Sequence, residues 1–190
     1  MVHRAMTLGW QQSRGNVAPR WAEVDAAVRT ELLSGMRLLA GLNNEQLSSV
    51  ASLWHQRRLG EGQCLFSEVD VPSRVIVVVH GQVTVESTLF QECHLRPCAA
   101  AVEKVGPGGV IGCCALIGGG KGMTARCTEN TEIIVADAHE LRSLLAARPD
   151  IGFVVMENAF RIATDRLLCA RQCLLAQFGL CEMYQTYRNY

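Results

Sequence analysis

The sequence lacks the long apolar and strongly basic segments that mark membrane proteins and nucleic-acid-binding proteins. No apolar run approaches the roughly 18 residues that a membrane-spanning helix needs, and the longest β-rich run, residues 75–79, has the length of a strand. The formal net charge is zero and there is no basic block, which disfavours nucleic acid as a partner. Lysine is nearly absent, since only Lys104 and Lys121 contribute to the 18 basic residues. We therefore expect a cytoplasmic protein with no membrane span.

The chain also lacks a secretory signal and paired C-x-x-C spacings, although it has nine cysteines. An odd number of cysteines without such pairing is typical of reduced thiols in a reducing compartment. The adjacent pair Cys113 and Cys114 matches no zinc signature, so no metal site is predicted. Residues 1–22 contain three arginines and no acidic residue. We interpret them as a flexible basic tail, and a mitochondrial presequence is the alternative.

Periodicity divides the rest of the chain into helical and β-rich parts. Apolar residues at helical spacing predict N-terminal helices over 23–56. Short β-rich runs between turn signals predict an all-β unit over 57–136, and the helical period returns over 138–179, before a tail over 180–190. The predicted strands lie near 57–59, 63–66, 74–79, 82–87, 100–105, 109–111, 124–128 and 131–136. The residues expected in the core are Leu65, Phe66, Val77, Val79, Val83, Val85, Leu116 and Ile133.

The last predicted helix, over about 150–178, carries an apolar repeat of seven residues. The first positions of this repeat are Phe153, Phe160, Leu167 and Leu174, and the fourth positions are Met156, Ala163, Ala170 and Gln177. Such a repeat is typical of a coiled-coil seam and predicts a homodimer. The alternative is that the helix packs this stripe against its own β-unit.

The segment 106–127 has the features of an anion-binding turn. A strand-like run ends at Pro107 and Gly108, Gly112 opens a short apolar turn, and a second strand begins with small residues after Met123. Backbone N–H groups at the start of a helical turn have no partner within the helix and are suited to an anion. The sequence therefore predicts a binding pocket between the turn and the second strand.

The order and spacing of several motifs resemble those of the cyclic nucleotide-binding domain family, which includes catabolite activator-type regulators and kinase regulatory subunits. Residues 62–70 are similar to the motif G-E-x-L-F-x-E-G-D, and residues 107–116 are similar to P-G-x-x-F-G-E-x-A-L. This resemblance implies an α+β fold. Its centre is an antiparallel β-roll, also described as a jelly-roll or double-stranded β-helix, flanked by N-terminal helices and a long C-terminal helix.

The resemblance also implies a ligand site, the phosphate-binding cassette. In the family a Glu of the cassette binds the ribose 2′-hydroxyl, an Arg pairs with the cyclic phosphate, and backbone amides complete the anion site. Here Cys113 stands at the Glu position and Met123 at the Arg position, and both are poor substitutes. Lys121 is a candidate replacement for the missing cation. The implied ligand-binding residues are Gly112, Cys113, Cys114, Ala115, Met123, Thr124 and Ala125.

These features predict a non-catalytic regulatory or sensor module with weakened or altered ligand specificity. Its ligand would be a weakly held cyclic nucleotide, a nucleoside or another small metabolite. One alternative is a degenerate domain that serves as a dimerisation or scaffold subunit and docks a protein partner; another is a haem or redox sensor that uses Cys or His. No Ser/His/Asp set, carboxylate pair or cofactor loop indicates an enzyme. The residues after Gly179 are too few for a helix-turn-helix, so no DNA-binding domain is predicted.

Overall fold

In the part of the chain that the structure describes, two α-helices precede the strands and two follow them. A computed structural model describes residues 26–68, 70, 73–89, 98–119 and 123–177. The helices in these ranges are α1 (Ala26–Ser34), α2 (Asn44–Ala51), α3 (Ala138–Ala147) and α4 (Pro149–Gln177). The strands are β1 (Trp54–Leu59), β2 (Cys64–Phe66), β3 (Arg74–His80), β4 (Val83–Leu89), β5 (Cys98–Val105), β6 (Val110–Ile111), β7 (Thr124–Cys127) and β8 (Thr131–Asp137).

The strands form two four-stranded sheets, with the orders β1-β8-β3-β6 and β2-β7-β4-β5. All the strand pairs are antiparallel. One core lies between the two sheets, and a second core lies between the first sheet and the helices. The predicted α+β fold, an antiparallel β-roll with helices before and after it along the chain, is therefore confirmed.

Strand β3 shows why the longest β-rich run contains no polar residue. Ile76 and Val78 belong to the core between the two sheets, whereas Val75 and Val77 belong to the core beneath the helices. Successive side chains of a strand point to opposite faces of the sheet. A strand that is buried on both faces therefore needs an apolar residue at each of these positions.

The predicted core residues are only partly correct. Val77, Val83, Val85, Leu116 and Ile133 are buried as expected. The other three, Leu65, Phe66 and Val79, are only partly buried. The first two lie on β2, which is a short strand at the edge of its sheet with a shifted register. Val79 lies next to a register shift near the end of β3.

We expect Trp54→Ala to destabilise the protein more than Phe66→Ala. Trp54 is fully buried in the core beneath the helices, and truncating a buried aromatic side chain costs about 3–5 kcal/mol. Phe66 keeps part of its surface in water, so its truncation should cost about 1–2 kcal/mol. Urea unfolding of both variants measures the two losses. Equal losses would contradict the partial burial of Phe66.

The residues of helix α4 that are buried in the core lie in its first half. Asn158 Nδ2 donates hydrogen bonds to the carbonyl oxygens of Leu38, at 3.2 Å, and Ala40, at 2.8 Å. The residues of α4 that join the core are Ile151, Val155, Ala159 and Ile162. The helix is continuous through Phe160, as predicted, but none of residues 163–176 is buried. The second half of α4 therefore extends along the surface.

Candidate ligand-binding site

The predicted cassette contains a 3-10 turn, Cys113–Ile117, that directly follows β6. Gly112 precedes the turn with φ 77° and ψ 15°, a left-handed conformation that glycine adopts without steric cost. The Ala115 N–H donates to the Gly112 carbonyl at 2.9 Å, and the Gly119 N–H donates to the Cys114 carbonyl at 2.9 Å. Because Ala115 is also buried, the turn is fixed by packing as well as by its hydrogen bonds.

The thiol of Cys113 occupies the start of this turn, where the resemblance implies a carboxylate. The side chain is partly buried, and the backbone amides of Cys113 and Cys114 interact with its sulfur. Burial raises the pKa of the Cys113 thiol, and the positive charge of Arg166 opposes this effect only in part. The group is therefore a neutral thiol at physiological pH, without the negative charge of a Glu side chain.

The side chains at the start of β7 alternate between the interior and the surface. Met123, just before the strand, is 45% exposed, and Ala125 is fully buried between the two sheets. Thr124 is partly buried. Arg126 points outwards and its Nη1 donates to the Gly62 carbonyl at 2.8 Å, so it does not serve the cassette. Lys121, the candidate replacement for the missing cation, lies outside the described residues, as do the predicted tails over 1–22 and 180–190.

A cation that the motif spacing did not reveal approaches the cassette from α4. Arg166 Nε lies 2.9 Å from Glu103 Oε1 on β5. A second guanidinium N–H of Arg166 donates to the carbonyl of Val110, on the strand that leads into the cassette turn. No local sequence signal identifies this residue, because Glu103 and Arg166 are 63 positions apart and only the folded chain brings them together.

Arg166 also lines a cavity of about 540 Å³ between β5, the turn that follows it and α4. The residues that line this cavity are Arg37, Glu103, Lys104, Val105, Gly106, Pro107, Gly108, Gly109, Val110, Ile162, Asp165, Arg166 and Cys169. None of the predicted cassette residues is among them. The cavity and the cassette are nevertheless linked through Arg166, since its charge acts on the Cys113 thiol.

The residues of the predicted seam lie along one side of α4 and face solvent. The exposed fraction at the four first positions, Phe153, Phe160, Leu167 and Leu174, ranges from 56% to 73%. Met156, Ala163 and Ala170 are also exposed, and the side chain of Gln177 lies outside the described residues. Within the described part of the chain, the alternative that this stripe packs against the β-unit is wrong. The core contacts of α4 come from a different side of the helix.

No group of three or more His, Cys, Asp and Glu side chains in the described ranges is placed to hold a metal ion. None of the described helices combines the length and hydrophobicity that crossing a membrane requires.

Comparison with known proteins supports the resemblance found in the sequence. Residues 56–148 match the family model described as Cyclic nucleotide-binding domain. A cyclic nucleotide-binding domain from Methylobacillus flagellatus KT has a similar structure, with 20% sequence identity and a TM-score of 0.67 over 80% of this chain and 83% of that one. The predicted resemblance to the cyclic nucleotide-binding domain family is therefore confirmed, and these residues carry its β-roll.

Two further structures share the fold. The catabolite activator protein of Thermus thermophilus is 24% identical, with a TM-score of 0.58 over 73% of this chain and 61% of that one. The regulatory domain of Toxoplasma gondii PKA, in a complex with cAMP, is 12% identical, with a TM-score of 0.57 over 72% of this chain and 50% of that one. No curated protein sequence matches the chain significantly. At these identities the structures show a common fold.

Proposed function

We propose that this chain is a non-catalytic regulatory module that senses a small ligand with a specificity different from that of ordinary cyclic nucleotide-binding domains. The proposal rests on one observation: the backbone of the cassette is ordered, but its two ligand-recognising side chains are replaced. Gly112 and the turn that follows it keep a defined backbone geometry. The two side chains that would recognise ribose and phosphate are a neutral thiol, at Cys113, and a thioether, at Met123.

The size of the expected loss follows from the interactions that are missing. A charge-assisted hydrogen bond contributes about 1.5–3 kcal/mol, and an Arg–phosphate pair is often bidentate. Losing both the ribose acceptor and the phosphate cation should therefore weaken cyclic nucleotide binding by roughly a hundredfold or more. A neutral nucleoside, or a ligand whose charge is placed elsewhere, would lose less.

We expect cyclic AMP and cyclic GMP to bind the wild-type protein weakly, and Cys113→Glu combined with Met123→Arg to restore measurable affinity. Each single change should do less, because it satisfies only one end of the ligand. Isothermal titration calorimetry on the four proteins measures this. Cys114→Glu with Met123→Arg is a matched control, since it adds the same charges with the carboxylate one position away.

Two results would contradict this proposal in different ways. Tight binding of a cyclic nucleotide by the wild type would show that the site is intact and has an unrecognised cation, such as Lys121. No binding by the double variant, in a protein that unfolds cooperatively, would show that the pocket is closed. In the second case a scaffold function would be favoured over a sensor function.

The second candidate function is assembly, as a homodimer, through α4. Four large apolar side chains recur every seven residues on the exposed side of this helix, from Phe153 to Leu174. At a rise of about 1.5 Å per residue, the 29-residue helix is about 43 Å long. A second copy of the same helix would cover this stripe, because a seven-residue apolar repeat is self-complementary in a coiled coil. Dimerisation is compatible with ligand sensing and would couple two sensor modules.

A further inference from the structure

The cavity beside α4 is lined by more basic than acidic side chains. Three of the residues that line it are basic, Arg37, Lys104 and Arg166, and two are acidic, Glu103 and Asp165. Arg37 pairs with Asp165 at 2.5 Å, and Arg166 pairs with Glu103 at 2.9 Å. Among the described residues Lys104 has no acidic partner within ion-pair distance. The cavity therefore has an excess of one positive charge.

Arg166 is the cation of this set that is best placed to hold a ligand. Its side chain is partly buried, which weakens screening by water and salt. A guanidinium has five N–H donors. Within the described part of the chain, hydrogen bonds from Arg166 reach only Glu103 and Val110, so donors remain for another acceptor. The bond to the Val110 carbonyl holds the guanidinium beside β6, the strand that leads into the cassette turn.

We propose that this cavity binds the oxyanion of a small ligand, a phosphate ester or a carboxylate, through Arg166, and that Glu103 is an internal competitor for the same guanidinium. The cassette lacks a positive charge at Met123, and α4 would supply one at the neighbouring cavity instead. Lys104 and Arg37 would add to the positive potential around the bound group. This inference rests on the proposed sensor function, and it names the ligand class and the residue that recognises it.

The competition between Glu103 and a ligand follows from the strengths of the two interactions. An ion pair that is partly open to solvent contributes little to stability, because water screens it and the two side chains lose rotamer freedom. A phosphate or carboxylate that reaches a guanidinium in bidentate geometry forms a stronger, more directional pair. A ligand that also fills the cavity would therefore displace Glu103 at little cost.

Calorimetric titration of the full chain with adenosine 5′-monophosphate, adenosine and succinate tests the proposal. We expect the monophosphate or succinate to bind, and adenosine to bind at least tenfold more weakly than adenosine 5′-monophosphate if the phosphate is the recognised group. Binding of succinate alone would assign the site to carboxylates. Arg166→Gln should weaken binding of the oxyanion by roughly tenfold or more. Glu103→Gln should tighten it by up to about fivefold.

Two further variants keep the result interpretable. Arg161→Gln removes a charge from the same helix at an exposed position that pairs with Glu157 outside the cavity, and it should leave binding unchanged. Arg166→Lys keeps the positive charge without the planar fork and should retain part of the affinity. Together the two variants show whether a loss of affinity in Arg166→Gln is caused by removal of the guanidinium group.

Several outcomes would overturn the inference. The first is that adenosine and adenosine 5′-monophosphate bind equally well while succinate does not bind. The second is that Arg166→Gln binds the oxyanion as tightly as the wild type. The third is that Glu103→Gln binds it more weakly, which would make Glu103 a recognition residue. A wild type and a Glu103→Gln variant that both fail to bind any of the three probes would also refute it. These variants lie outside the cassette, so the cyclic nucleotide test at Cys113 and Met123 can succeed or fail independently.

Discussion

Replacing Leu167 with aspartate should convert a dimer of this protein into monomers. Leu167 is 69% exposed on α4 and stands at a first position of the seven-residue repeat. In a symmetric dimer the change removes two leucines from the interface, at about 1.5–3 kcal/mol each, and places two carboxylates there. The dissociation constant should therefore rise by roughly a hundredfold or more.

Sedimentation velocity at tens of micromolar protein measures the subunit number directly. Leu168→Asp is the matched control, because it makes the same substitution at the next residue, which is also exposed but lies outside the repeat. We expect the wild type and Leu168→Asp to sediment as dimers and Leu167→Asp as a monomer. A monomeric wild type, or dissociation by both substitutions, would refute a seam at the predicted positions.

The strands could be predicted well because their signals are local. Runs of β-branched residues between glycine and proline turns place each predicted strand within a few residues of an observed one. The largest error is at β1, which begins at Trp54 rather than near residue 57. Its polar residues His55 and Gln56 do not look like a strand, but they pair in register with Val135 and Ile134 of β8. That pairing is a tertiary interaction, so local composition does not show it.

The sequence predicted the backbone turn of the cassette but not the side chain that approaches it from α4. The glycines and small residues of the cassette are adjacent in sequence, so their turn could be recognised from spacing. The contact of Arg166 with Glu103 requires α4 to lie beside β5, and no pattern within either segment indicates this. Helical periodicity identified the exposed stripe through Leu167, but it gave no indication that the preceding residue faces the cavity.

The most severe single change to the cassette should be Gly112→Ala. Gly112 has a positive φ, and a Cβ atom added there would lie 2.3 Å from the carbonyl oxygen of Arg74. This oxygen belongs to β3, the strand that pairs with β6 just before the cassette. The substitution must therefore either distort the β3–β6 pairing or displace the cassette turn. Backbone strain at such a residue costs about 1–3 kcal/mol, and overpacking adds about 1–3 kcal/mol more.

Gly108→Ala separates these two contributions. Gly108 has the same φ of 77° as Gly112, but a Cβ atom there would meet nothing within 4 Å. Urea unfolding should therefore show a loss of about 1–2 kcal/mol for Gly108→Ala, which is the cost of the conformation alone. Gly112→Ala should lose about 1–3 kcal/mol more, because of the overpacking against Arg74, and should also abolish ligand binding at the cassette. If the two variants were equally stable, the turn would have to move freely away from Arg74. The backbone would then be too loosely held to act as a preformed anion site, and the sensor function would lose its main structural support.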